Sequence, residues 1–169
     1  KTAVIGCGNI SKLHFIALSE NPDIQIIAVA DIKPERADAA AAEYGAKAYY
    51  SFDALLENEA PDAIHICTPH YLHTAMAAKA LAKGIHVLTE KPCSATLEEV
   101  DAFRKAQSAS GKQVGICFQN RYIESVKTVK EYVDKKVFGE AENAPFEVRT
   151  AGKRIKVDLT PITAVQFFV

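Results

Sequence analysis

The chain has 169 residues and a net charge of −1, from 20 basic and 21 acidic side chains mixed along its length. That balance gives neither nucleic acid nor an anionic membrane an electrostatic footing, so a small-molecule partner is expected. No charged and apolar leader precedes the first strand pattern, and no stretch approaches the roughly 18 apolar residues of a membrane span, which predicts a cytoplasmic protein.

Taken in chain order, short apolar runs alternate with segments of helical period, the pattern of βαβ units around a parallel sheet. Strands are predicted over 3–5, 24–30, 48–50, 63–67, 86–89 and 114–117, and helices over 10–20, 34–44, 73–83 and 97–110. Gly45, Gly84 and Gly111 each follow a helical run, where a left-handed residue ends it. Pro34 suits a first helical turn, and Thr96 with Glu99 spells a capping box. The fold class read from this alternation is α/β, a doubly wound parallel Rossmann sheet over residues 1–120. Residues 121–169 read as a linking helix over 125–136, with Val126, Val129 and Val133 on one face, followed by a fragment of a second, antiparallel-sheet domain. There "PFEVRT" and "RIKVDL" alternate around "AGK" as a hairpin, and "ITAVQFFV" ends the chain with an apolar tail that needs a covering surface.

The chemistry-bearing residues fall at the carboxyl ends of these strands, where a doubly wound sheet binds ligands. "VIGCGNIS" sets Gly6 and Gly8 between a strand and a helix, the context in which backbone approaches a pyrophosphate; an ordinary βα turn is the alternative, and Ser11 stands where a third glycine is usual. Asp31 ends the second strand at the distance expected of an acid that accepts from ribose hydroxyls and repels a 2′-phosphate, favouring NAD; a turn or cap role is the alternative. Lys33 and Arg36 follow closely and could pair with that phosphate, which keeps NADP possible. Strand four runs into "CTPHYLH", strand five into "TEKP" and strand six into "QNRY". Pro69 and Pro92 stiffen two of these loops. His70 and His73 are read as cofactor or pocket contacts and His14 as packing or capping, while His65 and His86 receive no function. Cys7, Cys67, Cys93 and Cys117 lie far apart with no CxxC pair, which fits reduced thiols; no metal site is expected.

"VIGCGNIS", "TPHYLHTAMAAKALAKGIHVLTEKPCSATLEE" and "FQNRY", in this order, resemble the amino-terminal half of the glucose–fructose oxidoreductase, inositol dehydrogenase and MocA family. The resemblance covers about residues 1–140 and implies an NAD(P)-dependent oxidoreductase that moves a hydride between a sugar, polyol or related hydroxy compound and the nicotinamide. It implies a cofactor site of Gly6, Gly8, Asn9, Ile10, Asp31, Thr68, Pro69, His70, His73, Glu90 and Lys91, with Lys91 also catalytic. A cation there would stabilise a developing alkoxide, and burial or a neighbouring positive ring would lower a lysine's pKa enough for proton transfer; a surface lysine is the alternative for such a residue alone.

Neighbouring side chains on extended backbone diverge, so Glu90 is expected to hold the loop or a cofactor hydroxyl and not to pair with Lys91. Cys93 reads as packing, Arg121 as either an entrance to the second domain or a surface residue, and Lys91–Pro92 as a cis peptide. The family's second domain carries a histidine acid or base, yet no histidine follows His86, and the tail resembles a late hairpin abutting "KKVFGE" from that domain's beginning. A long internal segment is therefore expected to be absent between about residues 140 and 141. Two functions follow: a dehydrogenase that is homo-oligomeric when full length, or a non-catalytic NAD(P)-binding regulatory module.

Overall fold

Six short apolar runs become six parallel strands. The computed structural model describes residues 1–137 together with the backbone of 146–150 and 153–157. The strands are β1 (Thr2–Ile5), β2 (Ile26–Ala30), β3 (Lys47–Tyr49), β4 (Ala63–Ile66), β5 (His86–Thr89) and β6 (Val114–Ile116), in the order β3-β2-β1-β4-β5-β6. This is the doubly wound order, and its switch point lies between β1 and β4, which pair from Thr2 with Ala63 to Ile5 with Ile66.

The helices are α1 (Ser11–Ser19), α2 (Pro34–Tyr44), α3 (Phe52–Asn58), α4 (His73–Ala82), α5 (Leu97–Ser110) and α6 (Glu124–Asp134). Alternation along the central strands sends successive side chains to opposite faces. On one face Ala3, Ile5, Ile64 and Ile66 pack with Leu55 of α3, Leu81 of α4 and Phe103 of α5. On the other, Val4 and Val29 pack with Phe15 and Leu18 of α1 and Ala40 of α2. Burying each large aliphatic side chain contributes about 1.5–3 kcal/mol, so the two layers hold the strand ends where the site forms.

Local signals match the expected helix ends. Gly45 and Gly111 are left-handed at the ends of α2 and α5, and both halves of the Thr96–Glu99 capping box are made. Helix α3 was not expected; Ser51 caps it by accepting from the Ala54 amide, and Phe52, Leu55 and Leu56 bury one side of it. Residues Lys1–Cys117 form one unit, and α6 belongs to another with the antiparallel pair β7 (Phe146–Thr150) and β8 (Lys153–Val157). The apolar tail and the junction near residue 140 lie outside the described residues.

Candidate functional site

The carboxyl ends of β1, β2 and β4 open into a cleft of about 310 Å³, bounded by the glycine loop, Asp31 and the Thr68–Pro69 turn. Gly6 is required by the fold itself. Its φ is +91°, and a Cβ there would stand 2.8 Å from the carbonyl oxygen of Cys67 on the neighbouring strand's end. Gly8 has no such neighbour, since a Cβ would approach nothing nearer than an Arg36 nitrogen at 4.0 Å. Space at Gly8 is thus left for something other than this chain. Ser11, in place of a third glycine, is buried and its hydroxyl donates to the Gly8 carbonyl at 2.7 Å, closing the turn.

The loop delivers Asn9, exposed, and Ile10 to the start of α1, which has no side-chain cap and no acid in its first turn. Uncapped amides and the positive end of the helix form a place for an anion such as a pyrophosphate. Asp31 braces the same loop: its Oδ2 accepts from the Cys7 amide at 2.8 Å and its Oδ1 from the Lys33 amide at 2.9 Å. The turn role expected of Asp31 is thus made, and the same residue lines the cleft. Lys33 and Arg36 line it too, and Ile32 and Tyr71, both largely exposed, add apolar surface.

Lys91 follows β5, solvent-exposed, on the far side of the switch point from β1, and Lys91–Pro92 is cis. Its loop is held from both faces of the sheet. On the α4 face, the ring nitrogens of His73 lie 2.7 Å from the Pro92 carbonyl and 2.8 Å from the Thr68 carbonyl, and Thr74 bonds the Cys93 carbonyl and the Ser94 hydroxyl. On the α1 face, Glu90 sets Oε1 3.1 Å from His14 Nε2, while Oε2 accepts from the Lys91 amide at 3.2 Å. His14 Nδ1 in turn lies 2.9 Å from His65 Nδ1.

Several expectations change here. His73, expected as a cofactor contact, is 1% exposed with both ring nitrogens directed at protein carbonyls, so it ties two loops together. Glu90, 6% exposed, holds the loop, the first of its two expected roles. His14, expected as packing or a cap, is instead the centre of a buried polar chain. His70 stays exposed in a short 3-10 turn, beside the exposed Pro69. The His14 link had no sequence signal, because its partners are 51 and 76 residues away.

Desolvation governs the titratable groups around this chain. Burial, then the nearby His14, pushes His65 down to about 4, which keeps its ring neutral. Burial first and Asp31 second raise Cys7 to about 12; burial first and Glu90 second raise Cys117 to about 11 and push Cys67 up as well. His14, Glu90 and Cys117 offer donor atoms within 4.8 Å of one another. The hydrogen bonds among and around them satisfy this set without an ion, and no buried side-chain nitrogen or oxygen lacks a partner among the described residues.

A family model described as "Oxidoreductase family, NAD-binding Rossmann fold" matches residues 1–118. The chain belongs to this family. It is 29% identical over 133 residues to glucose-6-phosphate 3-dehydrogenase of Bacillus subtilis, covering 79% of this chain and 37% of that protein. It is 32% identical over 139 residues to inositol 2-dehydrogenase of Rhizobium meliloti, covering 82% and 42%. Among solved structures, the WlbA dehydrogenase of Chromobacterium violaceum in complex with NADH and UDP-GlcNAcA superposes with a TM-score of 0.79 at 32% identity, covering 82% of this chain and 40% of that one. The chain thus spans about two-fifths of the length of these relatives.

NAD is the cofactor of this domain. The residues present fit it: an uncapped helix start for the pyrophosphate, Gly8 with room beside it, and a carboxylate at the end of β2 for the ribose. No helix among the described residues is long and apolar enough to cross a membrane.

Proposed function

We propose that the protein is an NAD-dependent dehydrogenase acting on a CH–OH group of a sugar or polyol, and that this chain supplies its cofactor-binding half and Lys91. The observation that carries the reading is the loop after β5. An exposed lysine at the ligand edge of the sheet rests on backbone fixed from both faces, and its ammonium has no ion-pair partner among the described residues. A mobile surface lysine needs no such support.

NAD, when bound, accepts the hydride. The chain's own residues would do the rest. Asp31 would accept from the ribose hydroxyls, Gly8 and the first amides of α1 would hold the pyrophosphate, and Lys91 would stabilise the oxygen that loses its proton. The family names of the relatives, sugar and inositol dehydrogenases, support the substrate class.

The test is a panel of sugars and polyols incubated with NAD+ and, separately, NADP+, read by absorbance of reduced nicotinamide. Turnover with at least one polyol, lost in Lys91→Ala with NADH binding retained, is expected. NADH binding without turnover across the panel would replace this reading by a regulatory binding module.

A further inference from the structure

The proton inventory around Glu90 admits few arrangements. Glu90 Oε2 is occupied by the Lys91 amide and Oε1 faces His14 Nε2, so with the carboxylate ionised His14 must carry a hydrogen on Nε2 to bond it. Two unprotonated nitrogens cannot bond each other, so the 2.9 Å contact between His14 Nδ1 and His65 Nδ1 needs one hydrogen between them. A neutral His14 has spent its hydrogen on Nε2, and the hydrogen between the rings must then come from His65. The remaining neighbours leave this order intact: Cys117, 4.0 Å from His14 Nε2, is a thiol that donates to Glu90 beside His14, and burial first and the Glu90 carboxylate second keep Cys67 protonated too.

We propose that His65 and His14 are positioning residues for Lys91: they form a one-way hydrogen-bond chain, His65 to His14 to Glu90, that fixes the carboxylate on which the Lys91 backbone rests. The chain crosses from β4 through α1 to the loop after β5 and is buried at His14 and Glu90, so water does not compete for its bonds. Its catalytic consequence rests on the assignment of Lys91 to hydride chemistry; its existence does not.

Long-range 15N spectra of the histidine rings in the labelled protein at neutral pH read the chain directly. His65 is expected to be protonated at Nδ1 and His14 at Nε2; a hydrogen on His14 Nδ1 overturns the proposal. His14→Leu is then expected to shift the Lys91 backbone amide and lower kcat on the responsive polyol by about 100-fold, as a misplaced catalytic group does, with KM little changed. His14→Gln, which keeps a donor toward Glu90, is expected to restore most of both. An unmoved Lys91 amide and unchanged kcat in His14→Leu overturn the positioning role.

Should His14→Leu fail to fold, Glu90→Gln tests the same link, because an amide offers one acceptor where the carboxylate offers two; an unmoved Lys91 amide there again overturns it. If the unaltered protein turns over no polyol, the dehydrogenase reading fails, while ring tautomers and amide shifts still decide this one.

Discussion

The carbonyl oxygen of Pro92 lies 2.7 Å from Nδ1 of His73, so the first residue of α4 anchors the loop that presents Lys91. The same ring reaches the Thr68 carbonyl at 2.8 Å, which ties the loop after β4 to the loop after β5. Replacing His73 by Phe removes the ring N–H from a buried site flanked by two carbonyl acceptors. A loss of about 1–3 kcal/mol is expected, the usual cost of stranding a buried polar group. Urea unfolding followed by circular dichroism measures it, and an unchanged midpoint would show that water replaces the ring as donor.

Gly6 and Gly8 should separate folding from binding. Gly6→Ala forces an L residue into φ +91° and a Cβ to 2.8 Å from Cys67 O, and is expected to cost about 1–3 kcal/mol or more. Gly8→Ala meets nothing closer than 4.0 Å, so its melting temperature should stay near that of the parent while NADH affinity falls. Thermal unfolding and fluorescence titration with NADH, run on both variants, check the contrast.

Asp31 is expected to affect both cofactor choice and loop order. Asp31→Ala removes the acceptor of the Cys7 and Lys33 amides along with the proposed ribose contact, so NADH binding should weaken by about tenfold or more. NADPH should lose less, because Lys33 and Arg36 remain beside the cleft. Calorimetric titration with each cofactor gives the ratio, and equal losses would remove Asp31 as a selectivity residue.

His65 gives the folded unit an acid sensitivity. Its ring titrates near 4 when folded and near the ordinary 6.5 when unfolded, so between those values the unfolded chain binds more protons. Stability from this residue is complete above about pH 6.5 and falls as the pH drops toward 4, by a total of order 3 kcal/mol. Denaturant midpoints measured across that window should slope upward with pH, and His65→Gln should flatten the slope.

The raised thiols make a chemical prediction. Cys7, Cys67 and Cys117 stay protonated through pH 8, and thiolate is the reactive form. All three should resist a disulfide reagent in the folded protein and react on denaturation. Mass mapping of early modification at any of them would show that its thiolate forms in the folded protein.

Much of this arrangement was legible in the residues. Glycine and proline punctuation with apolar runs yielded six strands in the right order, because each βαβ unit is a local pattern repeated along the chain. Helix α3 escaped because Phe52–Asn58 is only two turns long, although Ser51 and the Phe52, Leu55, Leu56 spacing were visible signs of it. Lys91 and the glycine loop were found through motifs that sit on contiguous residues. The His65–His14–Glu90 chain was not, since its members meet only after β4 pairs with β1 and with β5 and α1 packs across them. A histidine in a strand, taken alone, carries no sign of what will face it.

The two-sided hold on the loop after β5 also sets its length. Glu90 is tied to the α1 layer, and Pro92, Cys93 and Ser94 to the α4 layer, so the backbone between them spans the thickness of the sheet's ligand edge with no slack residue. One residue added or removed between Thr89 and Ser94 would break one anchor to keep the other. Loop grafts meant to alter substrate choice therefore have to leave this segment's length alone and draw their variation from elsewhere.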